Sequence, residues 1–373
     1  MDVYFDKDNL KAYINKVMGY NGREISREFR DVDNMLQEQC DILLSFSEKE
    51  LKDYCSREQI DKISDKFEID KREKMGHWMR LMSDGSHGHS IKYETDFPLK
   101  SPGFCSDDDS MLTMDDEHYR WYTSVVFQSK KKYERSKIDQ LGLLSSIPTF
   151  EIETLQKIFI NEKYIPSKIY YLRGEEGRSS MKEGYCGLPC TDIIISDPYV
   201  FSKKDDYPYE KNIYAIIDSL CNESKNVKIV FYTEYFQEFP SRIPPKFDVI
   251  KEYINTRYNA DVTFIKPHIK ELEKWDSTIK DEQHDRYIIT NYRMITSGSS
   301  FTYFDNNGNY SSKGLWATVC SLCDRDNYLV FLNAIRDIQN VINKCSIKDR
   351  SKTDTTKSIY GDMESNFLNF NKL

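Results

Sequence analysis

The stretch H-D-R-Y-I-I-T-N-Y-R-M-I-T-S-G-S-S-F, residues 284–301, decides how this chain is read. Tyr287 to Thr290 and Met294 to Thr296 are short runs of β-branched and apolar residues around Asn291-Tyr292, so the segment predicts two short strands joined by a turn. Alternation along the first strand places His284 and Arg286 on one face, at its mouth. Those residue types suit phosphate chemistry. A guanidinium offers permanently charged, bidentate donors to phosphate oxygens. An imidazole attacks phosphorus or moves a proton near neutral pH. The corner Gly298-Ser299-Ser300 lets backbone N–H groups and hydroxyls approach an anion closely.

Working upstream, T-D-I-I-I-S (191–196) is an apolar run that suits a strand buried on both faces, and it ends in Asp197-Pro198-Tyr199. Ile213, Ile216, Ile217, Leu220 and Cys221 mark an amphipathic helix, Val227 to Tyr232 a second strand, Phe247, Ile250, Tyr253 and Ile254 a second helix, and Val262 to Ile265 a third strand. Strand, helix, strand, helix, strand at these lengths predicts a βαβαβ unit with a parallel core. Leu315 to Val319 is read as a further strand, and Tyr328, Leu329, Leu332, Ile335, Ile338 and Ile342 as a closing helix.

The spacing H-x-R-x4-N-x6-G-S-x-F, carried by His284, Arg286, Asn291, Gly298, Ser299 and Phe301, resembles the phospholipase D superfamily pattern H-x-K-x4-D-x6-G-S-x-N. Arg286, Asn291 and Phe301 depart from it. The nearer likeness is to a divergent branch with H-D-R and an upstream D-P-Y, here Asp197, Pro198, Tyr199, His284, Asp285 and Arg286. That branch resembles the C-terminal domain of MIT-domain proteins of the ESCRT pathway and bacterial conflict-system effectors. The likeness covers about residues 165–340. It implies a phospholipase D-like α/β domain that acts on phosphodiester bonds of nucleic acid without a metal or other cofactor, in a prokaryotic anti-phage or conflict system. In that mechanism His284 is nucleophile or general base, Arg286 clamps the phosphate, Ser299 and Ser300 add donors, and Asn291 orients His284. Asp197, Tyr199, Asp285 and Gly298 complete the ligand site. The family's enzymes pair two motifs and this chain has one, so a homodimer pairing two copies of His284 and a site completed by Asp197 and Tyr199 are both open. So is a non-catalytic module that binds phosphate, lipid or protein, and so is a structural motif in which Asp285 and Arg286 pair with Asp197 or another strand end.

The first 150 residues lie outside that likeness. Leu10, Tyr13, Ile14, Val17 and Met18 share one helix face, as do Met35, Leu36, Cys40, Leu43 and Leu44, followed by Leu51, Tyr54, Cys55, Ile60, Ile63 and Phe67, with Ser47 and Glu50 as a capping box. Residues 1–75 therefore predict a helical region and 76–150 a mixed extension of loops and strands, with Ser90 to Phe97 and Trp121 to Phe127 as strands. Residues 151–345 form the phospholipase D-like domain, and 346–373 a polar, flexible tail with a short docked segment at Phe367 to Phe370. The fold class is α+β, with a mixed, mainly parallel sheet in the second half.

The 373 residues are 39% hydrophobic and 31% charged, a globular balance, and contain no apolar run long enough for a membrane helix. The polar stretch Met1 to Asn9 lacks a secretory apolar region, and nine cysteines suit reduced thiols in a cytoplasm. A net charge of −8 argues against a broad nucleic-acid footprint, so nucleic acid would need a local patch at Arg286 and Arg293, with Lys130 to Lys132, or delivery by a protein partner. The spacings Cys186/Cys190 and Cys320/Cys323, and the cluster His77, His87, His89, His118 with Asp107 to Asp109, raise metal binding. The four cysteines could together make a four-thiolate zinc site but are read as chance spacing, the histidine cluster has no recognised spacing such as HExxH, and no metal is expected. Walker A, G-x-G-x-x-G and G-x-S-x-G motifs are absent.

Overall fold

A computed structural model describes residues 2–19, 22–84, 91–93, 124–127, 144–146, 155, 190–198, 200–201, 209–221, 226–233, 247–266, 286–298, 300–301 and 317–371. The chain divides into two units. One holds Met1–Ser101, Arg120–Ile160 and Cys323–Arg325, the other Pro102–Tyr119, Asn161–Leu322 and Asp326–Leu373.

The first unit is more than a helical region. It contains a parallel sheet of β1 (Asp2–Phe5), β2 (Asp41–Leu44), β3 (Ile91–Tyr93), β4 (Ser124–Phe127) and β5 (Leu144–Ser146), in the order β3-β2-β1-β4-β5. Helices α1 (Lys7–Val17), α2 (Arg30–Gln39), α3 (Glu48–Tyr54), α4 (Arg57–Ile60) and α5 (Lys66–Asp84) accompany it. Two expectations are corrected here. D-V-Y-F, read as part of a polar start, is the central strand. Leu43 and Leu44, read on a helix face, belong to β2. A three-residue apolar run satisfies helical and buried-strand spacing equally, and pairing with β1 decides for the strand. The face Leu10, Tyr13, Ile14, Val17 of α1 is buried as expected, and Ser47 with Glu50 caps α3 in both directions. Phe67, placed on the apolar face, is 70% exposed.

Behind α1 lies a buried carboxylate. Asp33 accepts from Tyr13 Oη at 2.5 Å, Gln37 Nε2 at 2.5 Å and Trp78 Nε1 at 3.3 Å. Burial, the largest influence, raises its pKa above the ordinary carboxylate value, and the three donors oppose that shift.

The second unit carries β6 (Asp192–Ser196), α6 (Tyr209–Cys221), β7 (Lys228–Tyr232), α7 (Phe247–Tyr258), β8 (Asp261–Ile265), β9 (Arg286–Ile289), β10 (Arg293–Ser297), β11 (Ala317–Ser321), α8 (Arg325–Lys344), β12 (Arg350–Ser351) and β13 (Ile359–Gly361). The expected βαβαβ unit is present, with β6, β7 and β8 parallel. The whole sheet runs β11-β10-β9-β6-β7-β8-β13-β12. Four of its seven pairings are antiparallel, which corrects the expectation of a mainly parallel sheet. The hairpin β9–β10 lies where the turn at Asn291-Tyr292 predicted it. Every residue of β6 is buried, as a strand covered on both faces requires. Ile193, Ile195, Phe231, Phe264, Phe247 and Ile250 lie at the centre of the core.

The tail is also corrected. Residues 346–371 are built into the unit through β12 and β13, and β13 pairs antiparallel with β8. Ile359, Tyr360, Phe367, Leu368 and Phe370 are buried. Asp192, at the start of β6, accepts from Asn366 N at 2.7 Å, Asn366 Nδ2 at 2.6 Å and Ser365 Oγ at 3.1 Å. Lys251 Nζ binds Asp362 at 2.7 Å, and Asp362 accepts from Val262 N at 2.9 Å. The polar run between Ser351 and Ser358 masks these anchors from a reading by composition. The docked segment expected at Phe367 to Phe370 is present.

Candidate functional site

The parallel strands β6, β7 and β8 share a carboxyl edge, and an open α/β sheet presents ligands there. β9 is antiparallel to β6, so it starts at that edge with Arg286, and β10 ends there at Ser297 opposite Arg286. The G-S-S corner follows at once. The register and the bonds Asp197 N to Tyr232 O (3.1 Å) and Thr233 N to Ile265 O (3.0 Å) carry the ladder one residue past the strands. One transverse row results, with Arg286, Asp197, Thr233 and Lys266 on successive strands. Neighbours across a sheet share a face.

Asp197 is the hub of this corner. Its side chain is fully buried, and Oδ2 accepts from Ser300 Oγ at 2.6 Å and from Phe301 N at 2.7 Å. Oδ1 lies 3.9 Å from Arg286 Nε. Arg286 Nη1 donates to the Gly298 carbonyl at 3.0 Å, and its side chain retains 15% exposure. A buried carboxylate is tolerable only when donors and a cation surround it, and this one has both. Its three described partners come from the two chain segments that the motif joins. The arrangement orients the guanidinium at the sheet edge and leaves part of it at the surface.

Of the residues singled out from sequence, Asp197, Arg286, Gly298 and Ser300 are brought together. Gly298 contributes a carbonyl that accepts from Arg286. Ser300 donates to Asp197. His284, Asp285, Tyr199 and Ser299 lie outside the described residues, as do Lys130 to Lys132, His87, His89, His118, Asp107 to Asp109 and Cys186.

Asn291 is elsewhere, which corrects its assigned role. Its Oδ1 accepts from Thr191 N at 2.8 Å and Asp192 N at 3.3 Å, and its Nδ2 donates to Thr191 Oγ1 at 2.8 Å. That is the amino end of β6, a strand length of about 16 Å from Asp197. Asn291 fastens the hairpin turn to the start of β6. Arg293 is corrected too. It begins β10 at the same remote end and is 1% exposed, so it adds nothing to a surface patch around Arg286.

One participant was missed, and two further residues of the transverse row escaped notice. The Phe301 backbone amide holds Asp197 although the family pattern has asparagine at that position, and the Phe301 ring is fully buried. Thr233 and Lys266 carry no motif. Their position directly after strands β7 and β8 was the available signal. The cysteine spacings are placed only in part, since Cys186 lies outside the described residues. Cys190 lies in the same core as Cys221, burial pushes both thiols up, and among the described residues no group of three His, Cys, Asp or Glu side chains is placed to hold a metal. Among them, too, no helix is long and apolar enough to cross a membrane. No protein-family profile matches the chain, and no curated protein is similar to it in sequence.

Proposed function

We propose that the second unit is a phospholipase D-like domain that acts on phosphodiester bonds of nucleic acid, as an effector of a prokaryotic anti-phage or conflict system, with the first unit sensing or docking a protein partner. One observation carries the reading. Arg286, two residues after His284 in the chain, is held at the carboxyl edge of β6 between the Gly298 carbonyl and the buried Asp197. A guanidinium fixed in this way meets a phosphate without first losing side-chain freedom. As nucleophile, His284 forms an N–P bond while the bond to the leaving alcohol breaks, the alcohol takes a proton from solvent, and water then hydrolyses the N–P bond; as general base, it takes a proton from the attacking water and returns it to the leaving alcohol. The site is completed either by Asp197 and Tyr199 or by a second copy of the chain.

The experiment is hydrolysis of single- and double-stranded DNA, RNA and a phosphodiester reporter, with and without EDTA, by the full chain and by His284→Ala. Cleavage that survives EDTA and vanishes in His284→Ala is the expected result. Cleavage that EDTA abolishes contradicts this mechanism. A second reading, a binding module without turnover, is favoured by a specific observation. The Ser300 hydroxyl and Arg286 Nη1 already donate to Asp197 and Gly298. Under that reading the wild type cleaves nothing at any pH or metal tested, and Arg286→Ala loses partner or phosphate binding.

A further inference from the structure

Lys266 follows β8 directly and stands in the transverse row that begins at Arg286, three strands away. Strand spacing puts about 14 Å between the two Cα atoms. Its backbone N donates to Ser358 O at 2.7 Å. Its Nζ donates to the Thr355 carbonyl at 2.5 Å and stands 5.5 Å from the centre of the buried Phe247 ring. Asp354 is the carboxylate that acts on it electrostatically, and no described carboxylate forms an ion pair with it. Burial, the largest influence, lowers its pKa to about 8. A half-buried ammonium without a paired carboxylate costs the fold free energy, and an arriving anion removes that cost. Asp248, on α7, accepts from the Tyr360 hydroxyl.

We propose that Lys266 belongs to the same ligand site as Arg286, as the far cation of an anion-binding row across the carboxyl edge, and that the ligand is an extended nucleic-acid strand rather than a single small phosphodiester. The inference rests on the phosphodiester reading above and sharpens it. Lys266 Nζ reaches away from Arg286, toward the segment before β13, so one phosphate does not bridge the two cations. A strand with phosphates repeating along its length does. Lys266 then holds a phosphate remote from the reacting one and positions the strand, without entering the chemistry.

The experiment is binding of fluorescein-labelled oligothymidylates, from a dinucleotide to a 12-mer, to the full chain by fluorescence anisotropy across a salt series. His284→Ala is the background in all samples, so that no strand is cut. In Lys266→Ala the 12-mer affinity falls about fivefold and the slope of log K against log salt becomes shallower by about 0.7, the value for one lost phosphate contact on a single strand. The ratio of 12-mer to dinucleotide affinity falls with it. Lys266→Arg, which keeps the charge, restores the slope, and a melting curve checks that both variants are folded. If folded Lys266→Ala binds the 12-mer with the parent's slope and length dependence, Lys266 is outside the site and this inference fails while the Arg286 reading stands. If the parent binds no oligonucleotide of any length, both fail together.

Discussion

Replacing Asp197 by alanine tests the hub directly. The carboxylate accepts the Phe301 amide at 2.7 Å and the Ser300 hydroxyl at 2.6 Å, and it is the counter-charge of Arg286 at 3.9 Å. Alanine leaves the Phe301 N–H buried without its acceptor, which costs about 1–3 kcal/mol. It also strips the opposing charge from a guanidinium, and one-sided loss of a buried pair costs about 3–5 kcal/mol. Arg286 retains some exposure and the contact is long, so the lower end applies and the two contributions overlap. The expected total is about 3 kcal/mol, or a fall of roughly 6–12 °C in the melting transition of a unit this size. Asparagine keeps an oxygen for the Phe301 amide but removes the same counter-charge and turns an amide NH2 toward Arg286, so Asp197→Asn recovers only the retained hydrogen bond, about 1 kcal/mol of the loss. Differential scanning calorimetry measures the transition, and hydrogen exchange by mass spectrometry follows the peptide that contains Phe301. In Asp197→Ala that peptide exchanges faster by one to two orders of magnitude (about 1.4–2.8 kcal/mol of local opening). If Asp197→Ala melts within 2 °C of wild type and the peptide exchanges at the wild-type rate, the reasoning about the hub is wrong.

Two further outcomes follow from the fold. Gly361 has φ of +115°, and a Cβ there would lie 2.1 Å from the Val262 carbonyl oxygen. Gly361→Ala must therefore push β13 off β8, at a cost of about 3 kcal/mol or more, seen as a lower melting temperature and faster tryptic cleavage after Lys352 and Lys357. Unchanged melting and cleavage would show that the tail is not held by this close approach. In the first unit, the raised pKa of Asp33 means that the folded state holds its proton more tightly than the unfolded state does. The stability tied to this group is complete below the unfolded value of about 3.9 and is lost as pH rises through the higher folded value. Asp33→Asn removes that dependence, so the melting gap between variant and wild type should move in the variant's favour from pH 4 to pH 7. A gap independent of pH over that range would refute it.

Much of the second unit was legible. The runs T-D-I-I-I-S, V-K-I-V-F-Y and V-T-F-I with two amphipathic helices between them specify a βαβαβ unit, because strand and helix periods are properties of neighbouring residues. The hairpin was legible for the same reason, and so was the capping box at Ser47 and Glu50. The site was legible in part. Asp197, Arg286, Gly298 and Ser300 were singled out and meet. Asn291 was singled out by spacing alone, and spacing does not say which end of a strand faces the ligand. Its partners, Thr191 and Asp192, lie about a hundred residues upstream. Arg293 was read as a surface cation because nothing local marks a buried arginine.

The first unit shows the opposite balance. D-V-Y-F and D-I-L-L are too short to declare a period, and only their pairing makes them the centre of a parallel sheet. The tail is similar. Its polar run reads as unfolded, yet Ile359 to Gly361 complete the sheet beside β8, and Asn366 satisfies the buried Asp192. By itself, the sequence determined which segments are strands or helices where the period is long enough, where the hairpin turns, and that Arg286 and the Gly298-Ser299-Ser300 run flank that hairpin. Tertiary structure alone decided that Asp197 is the buried hub, that Asn291 serves the far end of β6, and that Lys266 shares a row with Arg286. Periodicity is written in adjacent residues. Register and strand direction arise from hydrogen bonds between segments far apart in the chain, and they settle which side chains share an edge.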